Sequence, residues 1–299
     1  MNVRDWGFGI GDSERRGTGS SESPIPNPQS FRPHGPNRIV CLTEEPTETL
    51  YALGEQDRIV GISGFTVRPP QARKEKPKVS AFTSAKIGEI LELEPDFVVG
   101  FSDIQAGIAA ELVRHGIEVW IANHRSVEGI LDYVRRLGAL VGAADRANAY
   151  ADELRRGLDA IGREAASLPR RPKVYFEEWD EPIITGIRWV AELVRIAGGD
   201  DAFPELSAEP LAKARILASG DPVVERTPDI ILGSWCGKKF RPDKVAARRG
   251  WDAIPAVRDG ELHEIKSPLI LQPGPAALTE GVREIARIIH DWSRRHVAA

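Results

Sequence analysis

The predicted fold depends on two similar stretches, Pro95-Asp96-Phe97-Val98-Val99-Gly100-Phe101-Ser102 and Pro228-Asp229-Ile230-Ile231-Leu232-Gly233-Ser234-Trp235. In each, a short helix ends before the proline, and three apolar residues then form a buried strand. Glycine follows, where we expect the chain to turn, and an aromatic residue lies at the strand's carboxyl end. Ligands of open α/β sheets bind at that end. The repetition predicts two similar lobes, although units of this kind also recur by chance in α/β proteins.

Short β-type runs alternate with helical patterns from Arg38 onward, which predicts an α/β fold with largely parallel sheets. The closing helix begins near Pro275, and its apolar stripe is expected to face the core. The other predicted helices are Thr47–Leu53, Ile104–His115, a helix capped by Ser126, and Trp189–Ala197. The predicted strands are Ile39–Leu42, Ile59–Ile62, Phe97–Gly100, Val119–Ala122, Val174–Glu177, Ile230–Gly233 and Leu262–Ile265.

One long amphipathic helix is predicted between the two halves. Some 24 residues at about 1.5 Å each would span roughly 36 Å, about the width of a domain. Such a helix can brace both lobes and limit their relative motion. The predicted organisation is a disordered arm (1–37), an N-terminal α/β lobe (38–142), the bridging helix (143–168) and a C-terminal α/β lobe (169–299). Its apolar positions are Ala147, Ala151, Leu154, Leu158, Ile161, Ala165 and Leu168.

The composition excludes several classes of protein. In 299 residues, 44 acidic side chains stand against 40 lysines and arginines, and this balance argues against binding driven by phosphate neutralisation. Two cysteines exclude a disulfide scaffold, and no apolar run reaches the roughly 18 to 20 residues of a transmembrane helix. Residues 1–37 show neither apolar periodicity nor a visible signal peptide.

Several pieces of the chain stand in an order and spacing typical of one family. They are Arg38-Ile39-Val40-Cys41-Leu42-Thr43 with Glu48-Thr49-Leu50, Val60-Gly61-Ile62-Ser63 leading to Pro69-Pro70-Gln71, Ile87–Asp96, Pro182 with Gly186, and Gly198-Gly199-Asp200-Asp201-Ala202-Phe203. With them, the chain after residue 38 resembles the substrate-binding proteins of metal-chelate ABC importers, most closely the cobalamin-binding branch. The resemblance implies two α/β lobes joined by one long rigid helix, the helical-backbone (class III) type of periplasmic-binding-protein-like fold.

The resemblance also implies a function. We expect non-enzymatic binding of cobalamin or a related corrinoid in the cleft between the lobes, by a monomer without an intrinsic cofactor. Heme and ferric siderophores stay as alternative ligands. A periplasmic location is implied, whereas the lack of a visible signal peptide leaves a cytoplasmic relative that stores or hands over its ligand as the alternative.

The family's ligand contacts in the first half align with Phe65, Arg68 and Phe101. Cobalamin binders of the family typically place tyrosine or tryptophan at these positions. Phe101 keeps an aromatic face for stacking on a planar macrocycle, whereas Arg68 would supply charge and hydrogen-bond donors in place of a ring.

The second half offers aromatic and polar candidates for the same cleft. A tryptophan at a strand end presents a large apolar face with one N–H, which suits a flat chelate with a polar rim. Packing in the core is the alternative for each tryptophan, and a solvated basic loop is the alternative for the lysine. The candidates are Trp179, Trp189, Trp235, Cys236 and Lys239, with Ser267 and Gln272 placed in the cleft by alignment.

Two acidic residues match the positions at which exported members of the family dock onto arginines of a permease. They are Glu89 and Asp221, and each lies at the start of a short helix before a Pro-Asp strand. An acid at a helix start is also favoured by the helix dipole, so local stabilisation is the alternative to docking.

Two other functions compete with chelate binding. Cys236 follows a strand beside lysines that are expected to lower its pKa, which would suit a thiol enzyme with His124 or His263 as base. The spacing differs from a nucleophile elbow, because Trp235 stands at the nucleophile's position. Binding of a bare metal ion would need clustered ligands, whereas the histidines are scattered. His124 is also a candidate axial ligand to the metal of a chelate, with a surface-loop histidine as the alternative.

Overall fold

The computed structural model describes residues 35–296, which form two sheets flanked by helices, so the predicted α/β class is confirmed. The predicted arm lies almost entirely outside the described residues. The strands are β1 (Ile39–Cys41), β2 (Ile59–Ser63), β3 (Lys78–Ser80), β4 (Phe97–Phe101), β5 (Glu118–Ala122), β6 (Lys173–Asp180), β7 (Ile183–Thr185), β8 (Asp200–Asp201), β9 (Ile230–Gly233) and β10 (Leu262–Glu264). The helices are α1 (Glu44–Ala52), α2 (Ala72–Glu75), α3 (Ile87–Glu92), α4 (Ala106–Arg114), α5 (Val127–Leu140), α6 (Ala144–Ala165), α7 (Arg188–Ile196), α8 (Pro204–Ser207), α9 (Asp221–Arg226), α10 (Pro242–Ala246), α11 (Pro255–Arg258), α12 (Ser267–Ile270) and α13 (Val282–Arg295).

The two sheets share a largely parallel arrangement. The first has the strand order β3-β2-β1-β4-β5, and its neighbouring strands are parallel. The second has the order β10-β9-β6-β7, in which β7 runs antiparallel to β6, while β8 pairs with β6. The apolar strands β1, β4 and β9 are wholly buried, as expected of a sheet covered on both faces. We call the part built on each sheet the N-terminal and the C-terminal lobe.

The repeated Pro-Asp motif has the same role in both lobes. Asp96 accepts hydrogen bonds from the backbone N–H groups of Asn37 and Arg38, at 2.8 and 2.9 Å, where β1 begins. Asp229 accepts one from the backbone N–H of Lys173, at 2.8 Å, where β6 begins. Each aspartate precedes one strand and fixes the start of the neighbouring strand in the sheet. The predicted two-lobe repeat is therefore confirmed.

The glycines of the repeat have a different role from the predicted one. Gly100 and Gly233 lie within β4 and β9, and neither has a positive φ. A Cβ at Gly233 would lie 1.9 Å from the ring of Phe240, and one at Gly100 would lie 2.3 Å from Oε1 of Gln105. Glycine is needed there for close packing, so the predicted turn at these positions was wrong. The chain turns after β4 at Ser102, whose φ is 77°.

Helix α6 matches the predicted bridging helix. Its buried residues include Ala147, Ala151, Leu154 and Leu158, and its 22 residues span about 33 Å. It packs against α5 of the N-terminal lobe and against α7 and α13 of the C-terminal lobe. One apolar core contains buried residues from both sheets and from these helices. No helix in this part of the chain is long and apolar enough to cross a membrane.

Candidate ligand-binding site

A cavity of about 640 Å³ is lined by residues of both lobes. Its walls come from the carboxyl ends of parallel strands, where loops of both sheets converge. Most of the lining surface is apolar, and a few polar side chains interrupt it. The segments that follow β1, β2, β4 and β5 form one wall, while those at the ends of β6, β9 and β10 form the other. Concave apolar sites with few polar groups are typical of small-molecule binding.

Seven of the ten residues predicted to contact ligand lie in the wall of this cavity. Phe65 is the most exposed of its aromatic residues, at 50 %. Trp179 belongs to the other lobe and lies at the end of β6. Its Nε1–H donates to the carbonyl of Glu181 at 2.8 Å. The seven are Phe65, Phe101, Trp179, Trp189, Cys236, Ser267 and Gln272.

Phe101 and Trp189 meet across the two lobes in the deep part of the wall. Their ring centroids are 6.4 Å apart in an edge-to-face arrangement, and both rings are nearly fully buried. The indole N–H of Trp189 donates to the carbonyl of Ile270 at 2.8 Å. The guanidinium of Arg125 lies 4.6 Å above the Phe101 ring. Phe101 therefore has one face covered by a cation, which leaves less of its ring for stacking than the sequence suggested.

Three predicted contacts lie outside the wall. Trp235 is 4 % exposed in the C-terminal core, where it packs edge-to-face on Phe240 and donates to Oε1 of Glu177 at 3.2 Å. Arg68 is held by carboxylates of both lobes, and Lys239 lies on the exposed loop after β9. Trp235 therefore packs in the core: Gly233 leaves the space into which the Phe240 ring fits, and the indole of Trp235 packs on that ring.

The wall also contains buried charges that sequence reasoning did not identify. Arg215 is 1 % exposed and forms an ion pair with Glu178 at 2.6 Å. Arg125 lies 3.6 Å from a carboxylate oxygen of Asp103 and donates to the carbonyl of Pro210 at 3.2 Å. Burial lowers the pKa of Arg125. Each buried arginine of the wall therefore has an acidic partner.

Glu44 and Cys236 supply the wall with two groups of raised pKa. Burial, with the neighbouring carboxylates of Glu45 and Glu48, raises the pKa of Glu44 to about 8. Burial also raises the pKa of the Cys236 thiol, and Glu44 and Glu178 raise it further. The predicted lowering of this thiol pKa by lysines was wrong, because Lys238 is paired with Asp180. A thiol held protonated is a poor nucleophile.

The histidines considered as base or ligand are engaged elsewhere. Nε2 of His124 lies 2.7 Å from the carbonyl of Pro273, and its ring stacks on Tyr133 at 4.7 Å. Burial lowers the pKa of His124 to about 4, so the ring is neutral and donates to this carbonyl. Nε2 of His263 lies 2.9 Å from Glu261. Between residues 35 and 296, no group of three or more His, Cys, Asp or Glu side chains is arranged to hold a metal ion.

The two predicted docking residues occupy equivalent places in the lobes. Glu89 lies in the first turn of α3, before β4, and pairs with Lys86 at 2.9 Å. Asp221 begins α9, before β9, and accepts a hydrogen bond from the hydroxyl of Ser219 at 3.1 Å. Both are exposed, as a docking surface requires.

Two of the wall residues that were not predicted could have been found from their position after a strand. Glu44 and Arg125 follow β1 and β5 within three residues, and the carboxyl-end rule already applied to β4 and β9 covers them. Arg215 ends a single 3-10 turn, Ala212–Arg215, whose position depends on tertiary contacts with Thr185 and Glu178. No local pattern marks such a residue.

Comparisons with known proteins agree with this architecture. The vitamin B12-binding protein of Vibrio campbellii is 27% identical over 205 residues, which are 67% of this chain and 72% of that protein. The solved periplasmic vitamin B12 binding protein of Vibrio cholerae has a TM-score of 0.69 at 20% identity, covering 88% of this chain and 100% of that chain. A periplasmic heme binding protein from Pseudomonas aeruginosa has a TM-score of 0.74 at 18% identity, covering 86% and 93%.

At these identities the solved structures show a shared fold, and the family follows from the sequence. A family model described as periplasmic binding protein matches residues 39–269, which is more than half of the chain. The match includes every strand of both sheets. The chain therefore belongs to the periplasmic binding protein family.

Proposed function

We propose that this protein binds cobalamin or a related corrinoid, without chemistry, as the substrate-binding component of an ABC importer or as a non-exported relative of one. The observation that carries the proposal is the cavity between the lobes, with Phe65 and Phe101 on one wall and Trp179 on the other. A corrin has broad apolar faces and a rim of polar side chains. Aromatic and apolar walls bury such faces, while a few polar groups meet the rim.

Sequence relatives support this ligand class. The curated relatives include vitamin B12-binding proteins of several Vibrio species at 23–27% identity. Heme is the second candidate, because a porphyrin has the same flat apolar faces, and ferric siderophores are the third. A heme carries two carboxylates at its rim, whereas the buried arginines of the cavity already have acidic partners. This pairing favours a ligand with an uncharged rim.

Catalysis by Cys236 has little support. A thiol nucleophile needs a lowered pKa and a nearby base. The pKa of Cys236 is raised. His124 and His263 form hydrogen bonds with Pro273 and Glu261, respectively, and not with the thiol.

We further propose that Glu89 and Asp221 form the contact with a permease. Each is exposed in the first turn of a helix that precedes the repeated strand of its lobe. Charge reversal at both positions, with Lys replacing each, is expected to abolish uptake by the assembled importer and leave ligand affinity unchanged. Reversal of Glu111, an exposed acid on α4, serves as the control. Cell fractionation would distinguish a periplasmic protein from a cytoplasmic one that stores or hands over its ligand.

The ligand class is tested by mixing the purified protein with cyanocobalamin, hemin or a ferric hydroxamate and removing unbound ligand by desalting. The proposal predicts that the corrin absorption elutes with the protein in equal molar amount. Retention of hemin or the hydroxamate in place of the corrin would replace the ligand but keep the carrier function. A protein fraction without colour in all three mixtures would contradict the proposal.

A further inference from the structure

Glu44 is a buried acid that faces the cavity without a protein partner. It lies three residues after the end of β1, at the start of α1, is 8 % exposed, and belongs to the cavity wall. Within residues 35–296 no hydrogen bond or ion pair involves its carboxyl group. The adjacent Glu45 differs, because it accepts a hydrogen bond from the Thr43 hydroxyl at 2.6 Å and lies outside the wall. Buried polar groups normally have partners, so the Glu44 carboxyl is left for a ligand.

The surroundings of Glu44 keep it protonated at neutral pH. Burial raises its pKa to about 8, and the carboxylates of Glu45 and Glu48 on the same helix act in the same direction. A protonated carboxyl has one donor, the O–H, and one carbonyl acceptor. The titratable and charged groups that share the cavity or act on Glu44 are Glu45, Glu48, Asp103, Arg125, Glu178, Lys213, Arg215 and Cys236.

Apart from the exposed Lys213, the other polar groups of the wall are either paired or neutral. Arg125 and Arg215 have Asp103 and Glu178 as partners, and Lys213 is exposed. Both arginines therefore already face a carboxylate, Arg215 at 2.6 Å and the partly buried Arg125 at 3.6 Å, so neither is an unpaired cation for an anionic ligand. The remaining polar side chains are uncharged donors and acceptors. They are Thr43, Ser63, Ser102, Ser267 and Gln272.

We propose that Glu44 determines ligand specificity by binding one carboxamide side chain of the corrinoid as a protonated acid. This inference rests on the proposed function. The O–H of Glu44 donates to the amide carbonyl, and its C=O accepts the amide N–H, so both buried groups are satisfied at once. A propionate at the same place offers no donor to the Glu44 carbonyl. It would also bring a second acid into a wall whose arginines are already paired.

The test is calorimetric titration of cyanocobalamin between pH 6 and pH 9 into wild type, Glu44→Gln and Glu111→Gln. Cyanocobalamin is chosen because cyanide occupies the cobalt position at which an axial water would otherwise ionise. In wild type the association constant is expected to be constant below pH 8 and to fall about tenfold per pH unit above it, because binding requires the proton. Gln keeps N–H donors and a C=O acceptor at every pH, so Glu44→Gln is expected to bind with a pH-independent constant. Glu111→Gln is the control, because Glu111 is an exposed acid on α4 outside the wall, and it should follow wild type.

Corrin binding with the same pH profile in wild type and Glu44→Gln would overturn the inference and leave the proposed function standing. In that case a Cys236→Ser variant would show whether the thiol titrates instead. Failure of every chelate to bind would overturn both. A ligand-free measurement checks the acid itself: the component of the infrared carbonyl band that titrates near pH 8 should disappear in Glu44→Gln. Burial raises the pKa of Glu45 to about 7, so its carboxyl group gives a separate component in both proteins. Persistence of the component near pH 8 in the variant would also overturn the inference.

Discussion

Arg68 of the N-terminal lobe forms two hydrogen bonds with the carboxylate of Glu280 in the C-terminal lobe, at 2.8 and 2.9 Å. Its Nε donates to Glu48 at 3.1 Å, and Glu48 in turn accepts from the backbone N–H of Ala276 at 3.1 Å. The family resemblance predicts a ligand contact at Arg68. In this chain it connects the two lobes outside the cavity wall, beside the bridging helix.

Removal of this arginine is expected to cost more stability than removal of its exposed partner. Glu48 is mostly buried, so Arg68→Ala leaves an enclosed acid without its cation and should lower the free energy of unfolding by about 2 kcal/mol. The Glu280 side chain is 52% exposed, and Glu280→Ala should cost less than about 1 kcal/mol. Urea unfolding of both variants at pH 7 measures the difference. Equal losses would show that the Glu48 contact contributes nothing.

Truncation of Phe65 is expected to weaken ligand binding. Its ring is half exposed in the cavity wall, and a bound macrocycle would bury it, so Phe65→Ser should lower the affinity for cyanocobalamin about tenfold. Val113→Ser is the control, since Val113 is as exposed on α4 and lies outside the wall. Calorimetry compares the two. An equal change in both variants would place the ligand elsewhere.

The two tryptophans at strand ends are expected to affect different properties. Trp235→Ala removes a core side chain packed on Phe240 and should lower the free energy of unfolding by about 3 kcal/mol. Trp179→Ala changes the cavity wall, so it should lower ligand affinity about tenfold while stability changes by less than about 1 kcal/mol. Denaturation and calorimetry on both variants test this division. The reverse pattern would mean that Trp235 contacts the ligand.

Stability is expected to decrease as the pH rises, because of Glu44. Its folded pKa is about 8, and the ordinary value of 4.5 describes the unfolded chain, so the folded protein keeps a proton that the unfolded chain releases. The stabilising effect of this proton is complete below pH 4.5 and is lost as pH rises to about 8. Glu44→Gln lacks this dependence and should exceed wild type at pH 8 by on the order of 2 kcal/mol. Urea unfolding of wild type and Glu44→Gln at pH 4.5 and pH 8 measures this effect. An equal difference in the free energy of unfolding at both pH values would contradict the prediction.

Much of the fold could be predicted because its central strands are continuous apolar runs. Ile230–Gly233 was predicted with its observed bounds, and the bridging helix follows from its four-three spacing. The edge strands Lys78–Ser80 and Ile183–Thr185 were missed. Three residues are too few for a pattern, and pairing with a neighbour defines such strands.

The sequence predicts a residue of the cavity wall well where its position after a strand places it there. Residues that follow a central strand reach the cavity, as Cys236 does. Whether a strand-end ring faces the cavity or the core depends on its tertiary partners, and for Trp235 these are Phe240 and the distant Glu177. The partner of Arg68, Glu280, lies 212 residues away, which no local pattern encodes.

The central claim, that the cavity between the lobes binds a corrinoid, is tested most directly by obstructing that cavity. Ala212 lies in its wall, and Ala208 is exposed outside it, so Ala212→Trp and Ala208→Trp add the same side chain inside and outside. Cyanocobalamin is titrated into both variants and wild type by calorimetry. The account predicts one site in wild type and in Ala208→Trp, and loss of binding in Ala212→Trp. Undiminished binding by Ala212→Trp would contradict it.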